Sequence, residues 1–71
     1  MIEIHNLAGT KSLGCCRNLK EAQPVLDDLA QRGEIPQPEA GVTCCHFKSG
    51  KLRQVTTVAY RNNKWRIVKN S

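Results

Sequence analysis

Seventy-one residues, 39% of them hydrophobic, with a net charge of +5, bound the chain to one small domain (residues 1–71). A core of that size rarely supplies more than about 3–5 kcal/mol of net stability, so an enclosed catalytic pocket would compete with the core and no enzyme is expected. No run approaches the ~20 apolar residues that span a bilayer, and Met1-Ile2-Glu3-Ile4-His5 has no basic leader followed by an apolar stretch, so the expectation is a cytoplasmic domain without a membrane partner.

In a reducing cytosol the two vicinal pairs, Cys15-Cys16 and Cys44-Cys45, read as thiols and not as a disulfide framework. Self-association would relieve marginal stability, so the reading admits a homodimer. The net charge hides an asymmetry. Residues 1–41 hold four cations against six acids, a net −2, whereas residues 42–71 hold seven cations and no acid. Such a segment repels itself unless folding spreads its charges over a solvated face.

The first element is a strand over Met1 to Leu7, with Ile2 and Ile4 on one side and Glu3 and His5 on the other. Ala8 to Gly14 is small and polar and reads as a loop. A helix follows. Asn18 is its N-cap, with Glu21 in capping-box position, and Leu19, Ala22, Leu26 and Leu29 form one apolar stripe widened by Val25. Gly33 supplies the stop and Pro36 prevents resumption. Pro24 is the exception: it sits too deep for a free first-turn position, so either the helix kinks there or it begins there, and a start near Asn18 is preferred. Glu34 to Gly41 is an extended connector shaped by its prolines.

Beyond the connector the chain reads as a three-strand meander with two-residue turns at Ser49-Gly50 and Asn62-Asn63. Counting outward from those turns pairs Phe47 with Leu52, His46 with Arg53, and Cys45 with Gln54. Around the second turn it pairs Tyr60 with Trp65, Ala59 with Arg66, and Val58 with Ile67. Opposed residues share a face. One face then collects Cys45, Phe47, Leu52, Val58, Tyr60, Trp65 and Ile67. The other collects His46 with the cations Lys48, Lys51, Arg53, Arg61, Lys64 and Arg66. The fold class is α+β, a two-layer sandwich of order β-α-β-β-β, with the helix on the apolar face and the first strand at an edge of the meander.

Little in the chain suggests chemistry. Structural zinc sites space their cysteines by two to four residues, and Cys44-Cys45 has no spacer, so a site from Cys44, His46 and a thiol of the other pair is the weaker reading and no metal or cofactor is expected. Cys15 and Cys16 precede a helix start, where the dipole and Arg17 could lower a thiol pKa, but no base is paired with them by any motif. Gly9-Thr10-Lys11-Ser12 lacks the glycine before the lysine that a phosphate loop needs. Asp27-Asp28 lie on the wet side of the helix.

The cationic face is the remaining signal. Lys48, Lys51, Arg53, Arg61, Lys64 and Arg66 suit nucleic-acid phosphates, since each neutralised phosphate releases a counterion. Solvated lysines and arginines on an exposed sheet are the ordinary alternative, but the absence of any acid after Glu39 favours a functional surface. With all three aromatic residues assigned to the core face, the expected contact is with the backbone and not with bases. A small regulator or inhibitor docking the same face on an acidic protein surface is the competing reading.

Overall fold

In a computed structural model that describes residues 1–70, five strands and one helix form two layers. The elements in chain order are β1 (Ile2–Asn6), β2 (Ser12–Cys16), α1 (Leu19–Gln31), β3 (Val42–Lys48), β4 (Lys51–Arg61) and β5 (Lys64–Asn70). All neighbours in the sheet are antiparallel, in the order β2-β1-β3-β4-β5. The α+β sandwich therefore stands, but its order is β-β-α-β-β-β.

The added strand is β2. Its short, glycine-containing SLGCC run carries little strand signal, and its pairing with β1 is set by the preceding turn. Asn6 organises that turn: its Oδ1 accepts from the backbone N–H groups of Thr10 at 2.8 Å and Lys11 at 3.2 Å. An Asn side chain in this role stands in for a backbone turn bond. The first strand pairs with β3 as an edge placement requires, yet β2 lies outside it, so β1 is internal.

The helix begins where its cap predicts. Asn18 has extended backbone and its Oδ1 accepts from the Glu21 N–H at 3.0 Å, while a Glu21 carboxylate oxygen accepts from the Arg17 N–H at 3.1 Å. Pro24 thus lies inside the helix, where it forgoes the bond to the Lys20 carbonyl. At the other end Glu34 N–H donates to Leu29 and Gly33 N–H to Ala30, with Gly33 at φ +75°, the pattern of a Schellman stop.

The core lies between α1 and one sheet face. Ala22, Leu26 and Leu29 from the helix meet Ile2, Ile4, Val42, Cys44, Val58 and Trp65, and Ile35 closes the lower end. Trp65 Nε1 donates to Asp27 Oδ1 at 2.7 Å, so the indole is anchored to the helix as well as packed under it. Tyr60 lies against Trp65 with ring centroids 5.3 Å apart, a tilted aromatic pair. Gly41, at φ +112°, lets the connector enter β3 closely: a Cβ there would meet the Val58 carbonyl oxygen at 2.7 Å.

Both meander turns have positive φ at both central residues, Ser49 and Gly50 in one and Asn62 and Asn63 in the other, as the hairpin turns require. The second hairpin keeps the register counted from its turn, with Arg61 opposite Lys64, Tyr60 opposite Trp65, Ala59 opposite Arg66 and Val58 opposite Ile67. In the first, Phe47 pairs with Leu52 as expected, but His46 then pairs with Gln54 and Cys45 with Val55. Arg53 is an extra residue, a β-bulge that breaks the count. The assignment of faces in the first hairpin is therefore reversed.

Candidate nucleic-acid interface: the open sheet face

Helix α1 covers one face of the sheet and leaves the other uncovered. Alternation along the strands places Glu3, His5, Cys15, Thr43, Cys45, Phe47, Leu52, Val55, Thr57, Ala59, Arg61, Lys64, Arg66 and Lys69 on the open side. None of these residues belongs to the core cluster under the helix. Cys44 and His46 lie on the helix side, the reverse of their expected position, because the bulge at Arg53 shifts the count by one.

The six predicted cations separate into two groups. Arg61, Lys64 and Arg66 share the open face around the Asn62-Asn63 turn, all exposed, and Lys69, opposite Thr57, joins them. Lys48 and Lys51 stand opposite each other at the tip of the first hairpin, and Arg53 occupies the bulge beside it. By alternation the Lys48–Lys51 pair has the parity of the helix side, so the open face carries cations at one end and is flanked by three more at the other. Among the described residues the ion pairs are Arg32 with Asp28 and Glu34, and Glu3 lies against His5, so no cation from Lys48 to Lys69 is neutralised by a described carboxylate. Glu3 is the one acid on the open strands, held 3.3 Å from His5 Nε2.

Between the two cationic ends lies apolar surface. The backbones of Met1 and Phe47 exchange both hydrogen bonds, at 2.8 and 3.1 Å, and Phe47 faces Leu52 on the next strand. This makes a Met1–Phe47–Leu52 row across three strands, with Cys45 and Val55 in the row behind. Met1 is 65% exposed and Leu52 53% exposed. The expectation that all three aromatic rings are inside thus fails for Phe47, while Tyr60 and Trp65 do face the helix. Lys69 was missed because the bulge at Val68 lies between it and the Asn62-Asn63 turn, and Phe47 because the bulge at Arg53 separates the Phe47–Leu52 pair from the core residues of β4 with which it was expected to share a face.

The cysteines divide by face. Cys15 and Cys45 flank Glu3 on the open side, whereas Cys16 and Cys44 lie on the helix side. All four are free thiols. Burial, reinforced by the neighbouring Cys16 and Cys45, pushes the Cys44 thiol up to about 11. Burial also raises Cys16, followed by the Glu21 carboxylate and Cys15, and these outweigh the lowering contribution of the Asn18 backbone. The helix start therefore does not activate that thiol. Burial and then Glu3 raise Cys45. Among the described residues no three His, Cys, Asp or Glu side chains group closely enough to hold a metal ion.

A polar chain joins β3, β4 and β5 on the helix side, beyond the helix N-terminus. The fully buried Thr56 hydroxyl donates to Asn70 Oδ1 at 3.0 Å and sits 2.9 Å from His46 Nε2, and Gln54 donates to the same Asn70 oxygen at 3.2 Å. A hydroxyl that donates to Asn70 accepts from His46, which fixes the Nε2–H tautomer. Every buried polar side-chain atom among the described residues has a partner, so this chain is satisfied structure. No helix is long and apolar enough to cross a membrane. Comparison with protein-family models, curated proteins and solved structures finds no match.

Proposed function

We propose that the protein is a non-enzymatic cytoplasmic module that binds nucleic acid through phosphate contacts on its open sheet face. The observation that carries this reading is the charge distribution. Arg61, Lys64, Arg66 and Lys69 share one uncovered end of the sheet, and Lys48, Lys51 and Arg53 flank the other, with no carboxylate among the described residues paired to any of them. The helix layer holds Glu21, Asp27 and Asp28 against Lys20 and Arg32, close to balance, so the excess positive charge belongs to the sheet. A domain with its excess charge in one layer presents that layer to a polyanion.

The reading is tested by the salt dependence of binding to mixed-sequence DNA and RNA. With about five phosphate contacts, affinity for a single strand falls about a hundredfold between ~50 and ~200 mM salt. Retention that is absent, or indifferent to salt, rejects it. An acidic protein partner that survives nuclease digestion, with no nucleic acid bound, would replace it with the docking-regulator reading.

A further inference from the structure

We infer that the open face selects single-stranded over duplex nucleic acid, with an unstacked base lying on the Phe47 ring. This rests on the phosphate-binding reading and deepens it. Phe47, itself half-buried, is the one aromatic ring that the fold leaves on the uncovered face, and it stands between Met1 and Leu52, both more than half exposed. An apolar row on an acid-poor surface with cations at its ends suits a ligand that is anionic along one edge and flat and apolar along the other. A single strand with splayed bases has both properties, since every base offers a π-face and every linkage a phosphate. A duplex keeps its bases stacked and offers a side-on sheet only phosphates and groove edges.

The layout gives the strand a path. Lys48 and Lys51, next along the hairpin tip with helix-side parity, and Arg53, in the bulge, flank the Phe47–Leu52 pair, where their long side chains serve phosphates that pass the edge beside the stacked base. From Leu52 the long strand β4 carries the surface through Val55 and Thr57 to Arg61, Lys64 and Arg66. Strand rise over that stretch spans about 30 Å, room for several nucleotides with a cationic clamp at each end. Glu3 lies on the β1 side of this path and is occupied by His5.

Fluorescence anisotropy with a labelled single strand of about twelve nucleotides, and with its blunt duplex, tests the inference. At about 50 mM salt the single strand is expected to bind about tenfold tighter or more. Phe47→Leu keeps an apolar cross-strand partner for Leu52 but has no ring. It should lose about tenfold toward the single strand and nothing toward the duplex, with the salt slope unchanged. Phe47→Trp should retain the preference and report the stacked base by quenching of its own fluorescence, read against the Phe47→Leu background of buried Trp65. Equal, salt-dependent binding of both forms, or wild-type behaviour of Phe47→Leu, overturns the stacking and leaves phosphate binding standing. No binding to either form overturns both.

Discussion

The two hairpins of the meander share one turn geometry and divide their side chains in opposite ways. In the β4–β5 hairpin, Tyr60 and Trp65 go under the helix and Arg61, Lys64 and Arg66 go to solvent. In the β3–β4 hairpin, the apolar Phe47–Leu52 pair goes to the open side, and His46 and Gln54 go to the helix side, where they are taken up by the Thr56–Asn70 chain. The second hairpin is a wall of the core. The first leaves its apolar pair on the open side. A single inserted residue, Arg53, separates the two outcomes.

Trp65→Ala gives the largest expected effect. It removes the central side chain of the wall, which is 6% exposed and bonded to Asp27. The loss of roughly 3–5 kcal/mol is comparable to the whole stability of a domain this small, and a urea melt should find the variant unfolded or nearly so. Joint replacement of Arg61, Lys64 and Arg66 by Gln acts on the solvent side of the same hairpin. It should weaken nucleic-acid binding about tenfold or more at low salt and flatten the log–log salt slope by about two, without moving the melting temperature more than a few degrees. Replacing Lys20 and Arg32 on the helix layer should do neither.

Asp27→Ala is intermediate. It leaves the Trp65 N–H without its acceptor, and a destabilisation of about 1–3 kcal/mol is expected by chemical melt, with binding intact in the folded fraction. The Cys44 thiol makes a pH-dependent contribution. Its folded pKa lies above the ordinary value of 9.0, at about 11, so the unfolded chain releases the proton first. The stability it contributes is fully present below pH 9.0 and is lost as the pH climbs to about 11. Cys44→Ala should remove that alkaline slope, and in the native protein a thiol reagent should modify exposed Cys15 first and Cys44 last. The smallest effect belongs to the bulge. Deleting Arg53 keeps Phe47–Leu52 and His46–Gln54 opposite each other, so stability should change by less than about 1 kcal/mol, whereas deleting Arg61 shifts Tyr60 and Trp65 out of register and should cost far more.

These hairpins also mark how far the chain could be read unaided. Strong local chemistry was legible: the Asn18 cap, the Gly33 stop, the apolar stripe of the helix, both turns and the register next to each turn. Pairing that depends on neighbours was not. Strand β2 is made of small residues and exists because Asn6 closes a turn onto β1, and the bulges at Arg53 and Val68 have no side-chain signature that announces an unpaired residue. Strand alternation amplifies such an omission, because one residue reverses every face beyond it. Arg61, Lys64 and Arg66 therefore lie on the face counted from the Asn62-Asn63 turn, whereas Phe47, separated by the Arg53 bulge from the core residues of β4, lies on the face opposite to them.

Backbone amide chemical shifts, recorded while a short single-stranded oligonucleotide is added at low salt, test the account most directly. Shifts should concentrate on Phe47, Leu52, Val55, Arg61, Lys64 and Arg66 and leave the exposed side of Leu19–Gln31 unmoved. Shifts centred on the helix, or none at concentrations that saturate a basic control protein, would contradict it.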